Sequence, residues 1–218
     1  MKRGLSFAPG EFYHLYSRGT DKREIFLEKY DFDRFAKFLY IANNPSPVTL
    51  REMPPNAFNL VRDDTLIDIG GYCLMPNHFH LLVREKTDGN ISKFMRKLLT
   101  SHSRYFNKKY RRTGTLFESK FKAKHADEDN YLKYLFAYIH LNPVKLIDSK
   151  WKEHGIKDIE KTKDYLAKYE HSSYLDYINM GREREKILNR KAFPDYFETT
   201  RSFQAMLENW LNYKNLDF

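Results

Sequence analysis

Two histidines one residue apart, His78 and His80, carry the sharpest chemical signal in the chain. On a strand, residues two apart project from the same face, so the two imidazoles would sit together with Phe79 on the reverse side. Two neutral imidazoles can hold one divalent ion and leave coordination positions open. The bland alternative is a pair that bonds locally on its strand. Tyr131, Tyr134, Tyr138 and Asn142 are the second group, because offsets of three and four place them on one helical stripe. Tyr131 and Tyr134 read as an aromatic core face. Tyr138 and Asn142 can present a phenolic oxygen and an amide oxygen to one site, the first as a covalent nucleophile and the second as a metal ligand. Asn142 precedes Pro143, which disfavours helical geometry, so it belongs in a final, distorted turn.

The third feature is a basic tract from Lys93 to Lys124. Its cations are Lys93, Arg96, Lys97, Arg104, Lys108, Lys109, Arg111, Arg112, Lys120, Lys122 and Lys124, against the single acid Glu118. Tyr105, Phe106, Tyr110, Phe117 and Phe121 are interleaved with them. Cations that neutralise phosphates, beside aromatics on which unpaired bases stack, describe a single-strand nucleic-acid surface. An ordinary solvated helix face is the competing reading. His102 reads as a core residue, and His140 lies on a different helix face from Tyr138. His14 stands out because its strand can run beside that of the histidine pair, and Arg18 at the end of the same strand could reach a phosphate.

These residues need a scaffold. Glu11 to Arg18 reads as a strand ending at Gly19, and Tyr30 to Ala42 has the apolar spacing of a helix. The proline-rich stretch 44–64 reads as a loop insertion. Thr65 to Leu74 and His78 to Val83 read as strands joined by Met75-Pro76-Asn77. A long amphipathic helix follows over Ile91 to Tyr110, then a short strand over Lys120 to Ala126. A second long helix spans Asp127 to Leu141, with Asp127 placed to cap it. This order predicts an α+β fold, a split βαβ antiparallel sheet with helices on one face. We read 1–146 as one domain and 147–218 as a mostly helical C-terminal extension, with helical patches near Ser172 to Met180 and Ser202 to Tyr213.

Composition agrees with a nucleic-acid partner. The chain has 218 residues and a formal charge of +9, with a pI near 9.4, which favours a polyanion. Cys73 is the only cysteine, which excludes an intramolecular disulfide and a cysteine zinc cluster. No apolar run reaches membrane-spanning or signal-peptide length, so a cytoplasmic, nucleoid-associated protein without a membrane partner is expected.

Together, the stretches FYHLYSRGTDKREIF, YCLMPNHFHLLV, RTGTLFESKFKAK and YLFAYIHLNPVKL resemble the insertion-sequence 200-like transposases. Within these the branch called REP-associated tyrosine transposases is the nearest. The resemblance runs from Phe12 to Leu146, with a weaker echo over Tyr169 to Tyr174. It implies a ferredoxin-like sheet with the nucleophile on a following helix. It makes His78 and His80 the histidine-hydrophobic-histidine (HUH) metal ligands, Asn142 the polar third ligand and Tyr138 the single nucleophile. The implied cofactor is a divalent metal, Mg2+ or Mn2+.

The implied activity is nicking and rejoining of single-stranded DNA at a hairpin or palindromic repeat, through a 5′-phosphotyrosine intermediate. Arg18, Arg104, Lys108, Lys109, Arg111, Arg112, Lys120, Lys122 and Lys124 are the candidate DNA contacts. Some relatives are dimers, so a homodimer and a monomer both stay open. Three rivals share parts of this pattern. They are a domesticated DNA-binding protein without catalysis, a phosphoesterase that uses water in place of the tyrosine, and an RNA-binding protein.

Overall fold

The computed structural model describes residues 6–47, 54, 56–197 and 199–211. Strand β1 (Phe12–Arg18) is followed by helix α1 (Lys29–Ala42), strands β2 (Ile67–Met75) and β3 (His78–Glu85), helix α2 (Asn90–Lys109), strand β4 (Lys122–His125) and helix α3 (Asp129–Leu141). The sheet order is β2-β3-β1-β4, and every neighbouring pair is antiparallel. That is the expected α+β, ferredoxin-like arrangement, in the element order the periodicity predicts. The described part of 44–64 carries one short 3-10 turn, Ala57–Asn59, and the rest of that expected loop lies outside the described residues.

Strand alternation assigns the two faces of the sheet. Tyr13 and Leu15 of β1, with Phe79, Leu81 and Val83 of β3, join Phe35 and Leu39 of α1 and Phe94 and Leu98 of α2 in one core. Between them, His14, Tyr16 and Arg18 of β1 and His78 and His80 of β3 point to the opposite face. Helix α3 lies there, packing Leu132, Leu135, Phe136 and Ile139 into a second core with Leu82.

Much of that second core comes from beyond residue 146. A 3-10 turn (Asn142–Leu146) leads into α4 (Trp151–His154), α5 (Ile159–Leu166), α6 (Tyr174–Tyr177) and α7 (Thr200–Leu211). Trp151, Leu175, Phe203 and Leu207 pack with α3. The stretch after Tyr169 runs along β2, whose Leu74 N–H donates to the His171 carbonyl at 2.9 Å. Ser173 N–H donates to Tyr72 O at 2.9 Å, and the Tyr169 hydroxyl donates to Leu74 O at 2.6 Å. An edge strand with unpaired amides is thereby covered. Gly70 is required here, because a Cβ would lie 2.7 Å from the Phe193 ring.

One local expectation is corrected. Asp127 does not cap α3; the N-cap is Glu128, with no side-chain bond to the helix. Asn142 itself lies where expected, closing α3 with right-handed angles (φ −54°, ψ −38°) and opening the tighter 3-10 turn that the following proline begins. Among the described residues, no helix is long and apolar enough to cross a membrane.

Candidate active site

Register brings the first set of residues together. In the β1–β3 ladder Tyr16 faces His80 and Arg18 faces His78, while His14 lies two pairs further along, on the same face. The tight Pro76–Asn77 turn starts β3 at His78, so both histidines sit at its beginning. Their rings are 4.9 Å apart, centroid to centroid, in a T-shaped arrangement. Helix α3 lays Tyr138 over them, with its ring 5.3 Å from His80 and 5.7 Å from His14. Asn142, one turn on, donates from Nδ2 to the Tyr138 carbonyl at 3.3 Å. The histidine pair, Tyr138 and Asn142 therefore converge on one site, though they are far apart in sequence.

Hydrogen bonds fix how the rings are presented. His78 Nδ1 and Asn77 Oδ1 are 2.6 Å apart, so Nδ1–H donates to the amide oxygen. His80 Nδ1 and His14 Nε2 are 2.8 Å apart and buried. In both histidines Nδ1 is turned to a protein partner, and Nε2 is the nitrogen that would take a ligand. His14 is thus the partner that sets the tautomer of His80. Its proximity to β3 was legible in the sequence, but its bond to His80 depends on register.

Burial dominates the electrostatics. It lowers the pKa of His78 to about 4, helped by the charges of Lys145 and Arg18 and opposed by Asn142. Burial and then Lys124 bring His14 down to about 3. Both imidazoles are therefore neutral at physiological pH, which His78 needs to ligate a metal and His14 needs to accept from His80. Burial raises the Tyr138 phenol above its usual value, and Asn142 lowers it in part. Buried Cys73, on the neighbouring strand, is pushed up by desolvation and is no nucleophile.

Among the described residues, no three His, Cys, Asp or Glu side chains are placed to share an ion. A metal would be held by two imidazoles and an amide. Asn142 fits that part, because its Oδ1 is buried and lacks a hydrogen-bond partner. A buried amide oxygen without a donor is costly unless something else fills its lone pairs.

The candidate DNA contacts divide between two surfaces. Arg18, Lys122 and Lys124 lie on the site face, where Lys124 Nζ stands 4.1 Å over the Tyr131 ring. Arg18 donates to Glu118 from Nε at 3.1 Å and from Nη2 at 3.0 Å, and Lys122 pairs with the same carboxylate at 3.5 Å. Arg104 and Lys108 instead line a groove of about 700 Å3 between α1 and α2, with Arg34, Arg96 and Lys97, on the far side of the sheet from Tyr138. Lys109 is held by Glu28 and by Asp31, at 2.7 Å from the latter. The buried Asp31 carboxyl would be raised by desolvation, but bonds from Lys109, Tyr105 and Tyr110 outweigh that and hold it at about 2. Lys109 therefore ties α2 to the start of α1. Lys120 and Arg111 are exposed, whereas Arg112 is half-buried.

Of the other histidines, His102 donates from Nε2 to Ile25 O at 2.8 Å inside the first core. His140 bonds Ser173 Oγ at 2.7 Å, on the helix face away from Tyr138. Tyr134 packs on Trp210 at 5.1 Å, as an aromatic core residue does.

Comparison with known proteins bears on the fold and on the stretch that carries the site. The fold matches the solved structure of a REP-associated tyrosine transposase bound to a REP hairpin, with a TM-score of 0.52 and 14% sequence identity, over 83% of this chain and 87% of that one. At that identity the match speaks for the fold alone. No curated protein matches the chain. Residues 49–142, which hold the histidine pair, Tyr138 and Asn142, match a family model described as "Transposase IS200 like". The family resembled by the sequence and the family matched over this stretch are the same, the IS200-like transposases.

Proposed function

We propose that this chain is a DNA transposase that nicks and rejoins single-stranded DNA at repeat hairpins, with Tyr138 as its covalent nucleophile. The observation that carries this reading is the packing of the Tyr138 ring 5.3 Å from His80, beside the partnerless amide oxygen of Asn142. A phenol there meets a site suited to a divalent cation and hence to a phosphate.

His78, His80 and Asn142 would hold Mg2+ or Mn2+, which when bound supplies positive charge to the scissile phosphate. Tyr138 attacks phosphorus in line. A Tyr138 Oη–P bond forms, the P–O3′ bond breaks, and the departing strand leaves with a free 3′-hydroxyl. The 5′-phosphotyrosine keeps the energy of the phosphodiester, so a later 3′-hydroxyl can reverse the exchange and join new ends without ATP. Asn142 ties its amide to the Tyr138 carbonyl and leaves its oxygen for the ion, and His14 holds the His80 ring. The site-face cations Arg18, Lys122 and Lys124 lie where a strand entering the site would pass, and the basic α1–α2 groove offers a second phosphate-binding surface.

End-labelling tests the polarity of this chemistry. A single-stranded hairpin labelled at its 3′ end should transfer its label to the protein band, while the same DNA labelled at its 5′ end should release a short free fragment. Release of both labels with no labelled protein would contradict the reading and favour hydrolysis by water.

A further inference from the structure

We propose that Lys145 is a phosphate ligand of the reaction centre, its ammonium group binding a non-bridging oxygen of the scissile phosphate beside Tyr138. The inference rests on the transesterase reading above and adds a catalytic residue to it.

Position is the first argument. Pro143 ends the regular helix, and the 3-10 turn Asn142–Leu146 follows directly. Val144 is fully buried in the second core and anchors that turn. Ile147 and Asp148 both donate backbone N–H groups to the Val144 carbonyl, at 3.0 and 2.8 Å. With the turn so fixed, Lys145 is carried back toward the site, and its Nζ lies 6.0 Å from the centre of the Tyr138 ring.

Charge balance is the second. Arg18 and Lys122 share Glu118, and Lys109 has Glu28 and Asp31. Lys145 is half-buried, desolvation lowers its pKa, and among the described residues no carboxylate lies within ion-pair distance. A partly desolvated cation without a counter-ion costs free energy in the fold. That cost is recovered when an anion enters, and the reaction needs its phosphate at this place.

The chemistry then follows. As the Tyr138 Oη–P bond forms and the P–O3′ bond breaks, the phenol proton passes to solvent and the leaving oxygen takes one from solvent. Lys145 remains an ammonium ion throughout. It neutralises charge on the phosphoryl oxygens. Such an ion acts as a compact point charge, and fixed positive groups aimed at developing charge are strongly rate-determining.

Lys145→Met keeps the stem and removes the charge, and Lys145→Arg restores a cation. The rate of covalent adduct formation at saturating protein should fall about 100-fold in the Met variant and recover substantially in the Arg variant. The melting temperature should hold or rise, since an unpaired cation is lost. A Met variant within about threefold of the wild-type rate would overturn the proposal.

A second measurement is independent of turnover and of how the Met variant folds. In the Tyr138→Phe protein, which cannot form the adduct, 13C-labelled Lys145 should shift at its ε-methylene when single-stranded hairpin DNA is added. A resonance that stays in place would overturn the assignment. A shift seen in Tyr138→Phe, with no adduct from the wild type, would sink the transesterase reading and leave Lys145 a phosphate ligand.

Discussion

Replacing His14 by phenylalanine should weaken metal binding without disturbing the fold. His14 Nε2 stands 2.8 Å from His80 Nδ1, and the two residues are only 6% and 5% exposed. With the His14 pKa held near 3, the ring is neutral and its Nε2 can accept. His80 then donates from Nδ1 and turns Nε2 to the site. Phenylalanine keeps a ring against Tyr138, where His14 now makes a T-shaped contact at 5.7 Å, but it accepts no hydrogen bond. The buried His80 Nδ1 would lose this acceptor, at a cost of about 1–3 kcal/mol. The ring could recover part of this by turning over or changing tautomer, and either move spoils the ligand. Loss of such a supporting bond lowers metal affinity roughly 10–100-fold. The assay is Mn2+ titration of the DNA-free protein, followed by the spin resonance of the free ion, with His80→Ala as the null control. Wild-type affinity in His14→Phe, within about twofold, would refute the reasoning.

Other predictions concern the frame around the site. Arg182 meets the buried Asp176 carboxylate at 2.9 and 2.6 Å, so Arg182→Met should leave an uncompensated charge and lower stability by about 3–5 kcal/mol in urea unfolding; a loss below about 1 kcal/mol would contradict this. Burial first, offset in part by bonds to Ile25 and Phe136 respectively, sets the pKa of His102 and of His140 at about 4. Unfolded, they bind protons from about pH 6.5 downward. Stability should therefore fall as pH drops from 6.5 toward 4, by about 1.4 kcal/mol per unit for each histidine. The urea midpoint at pH 5 should lie well below that at pH 7, and equal midpoints would show that these histidines are not neutral and buried.

The elements were legible where periodicity is long or the turn chemistry sharp. Phe35 and Leu39 mark the buried face of α1, and Pro76–Asn77 marks the turn into β3. Period, however, reports which face is apolar and not what covers it. Tyr131 and Tyr134 read as core-facing, but that their core is built with Trp210 and the residues after 146 depends on contacts across most of the chain. Helices α4 and α6 have four residues each, too short for a periodic signal. The histidine pair, Tyr138 and Asn142 were readable from spacing and motif together. The bond between His14 and His80 was not, because it needs the β1–β3 register. Nor was the division of the basic tract, since Lys109 meets Asp31 only once α1 and α2 pack together.

The central claim is that Tyr138 becomes covalently joined to DNA at a site organised by His78 and His80. Its most direct test is a denaturing gel of wild type, Tyr138→Phe and His80→Ala after incubation with labelled single-stranded hairpin DNA and Mn2+. A slow-migrating protein–DNA species should appear in the wild type alone, with Tyr138→Phe still binding the hairpin. An adduct that survives in Tyr138→Phe, or DNA cleaved by the wild type with no adduct, would contradict it.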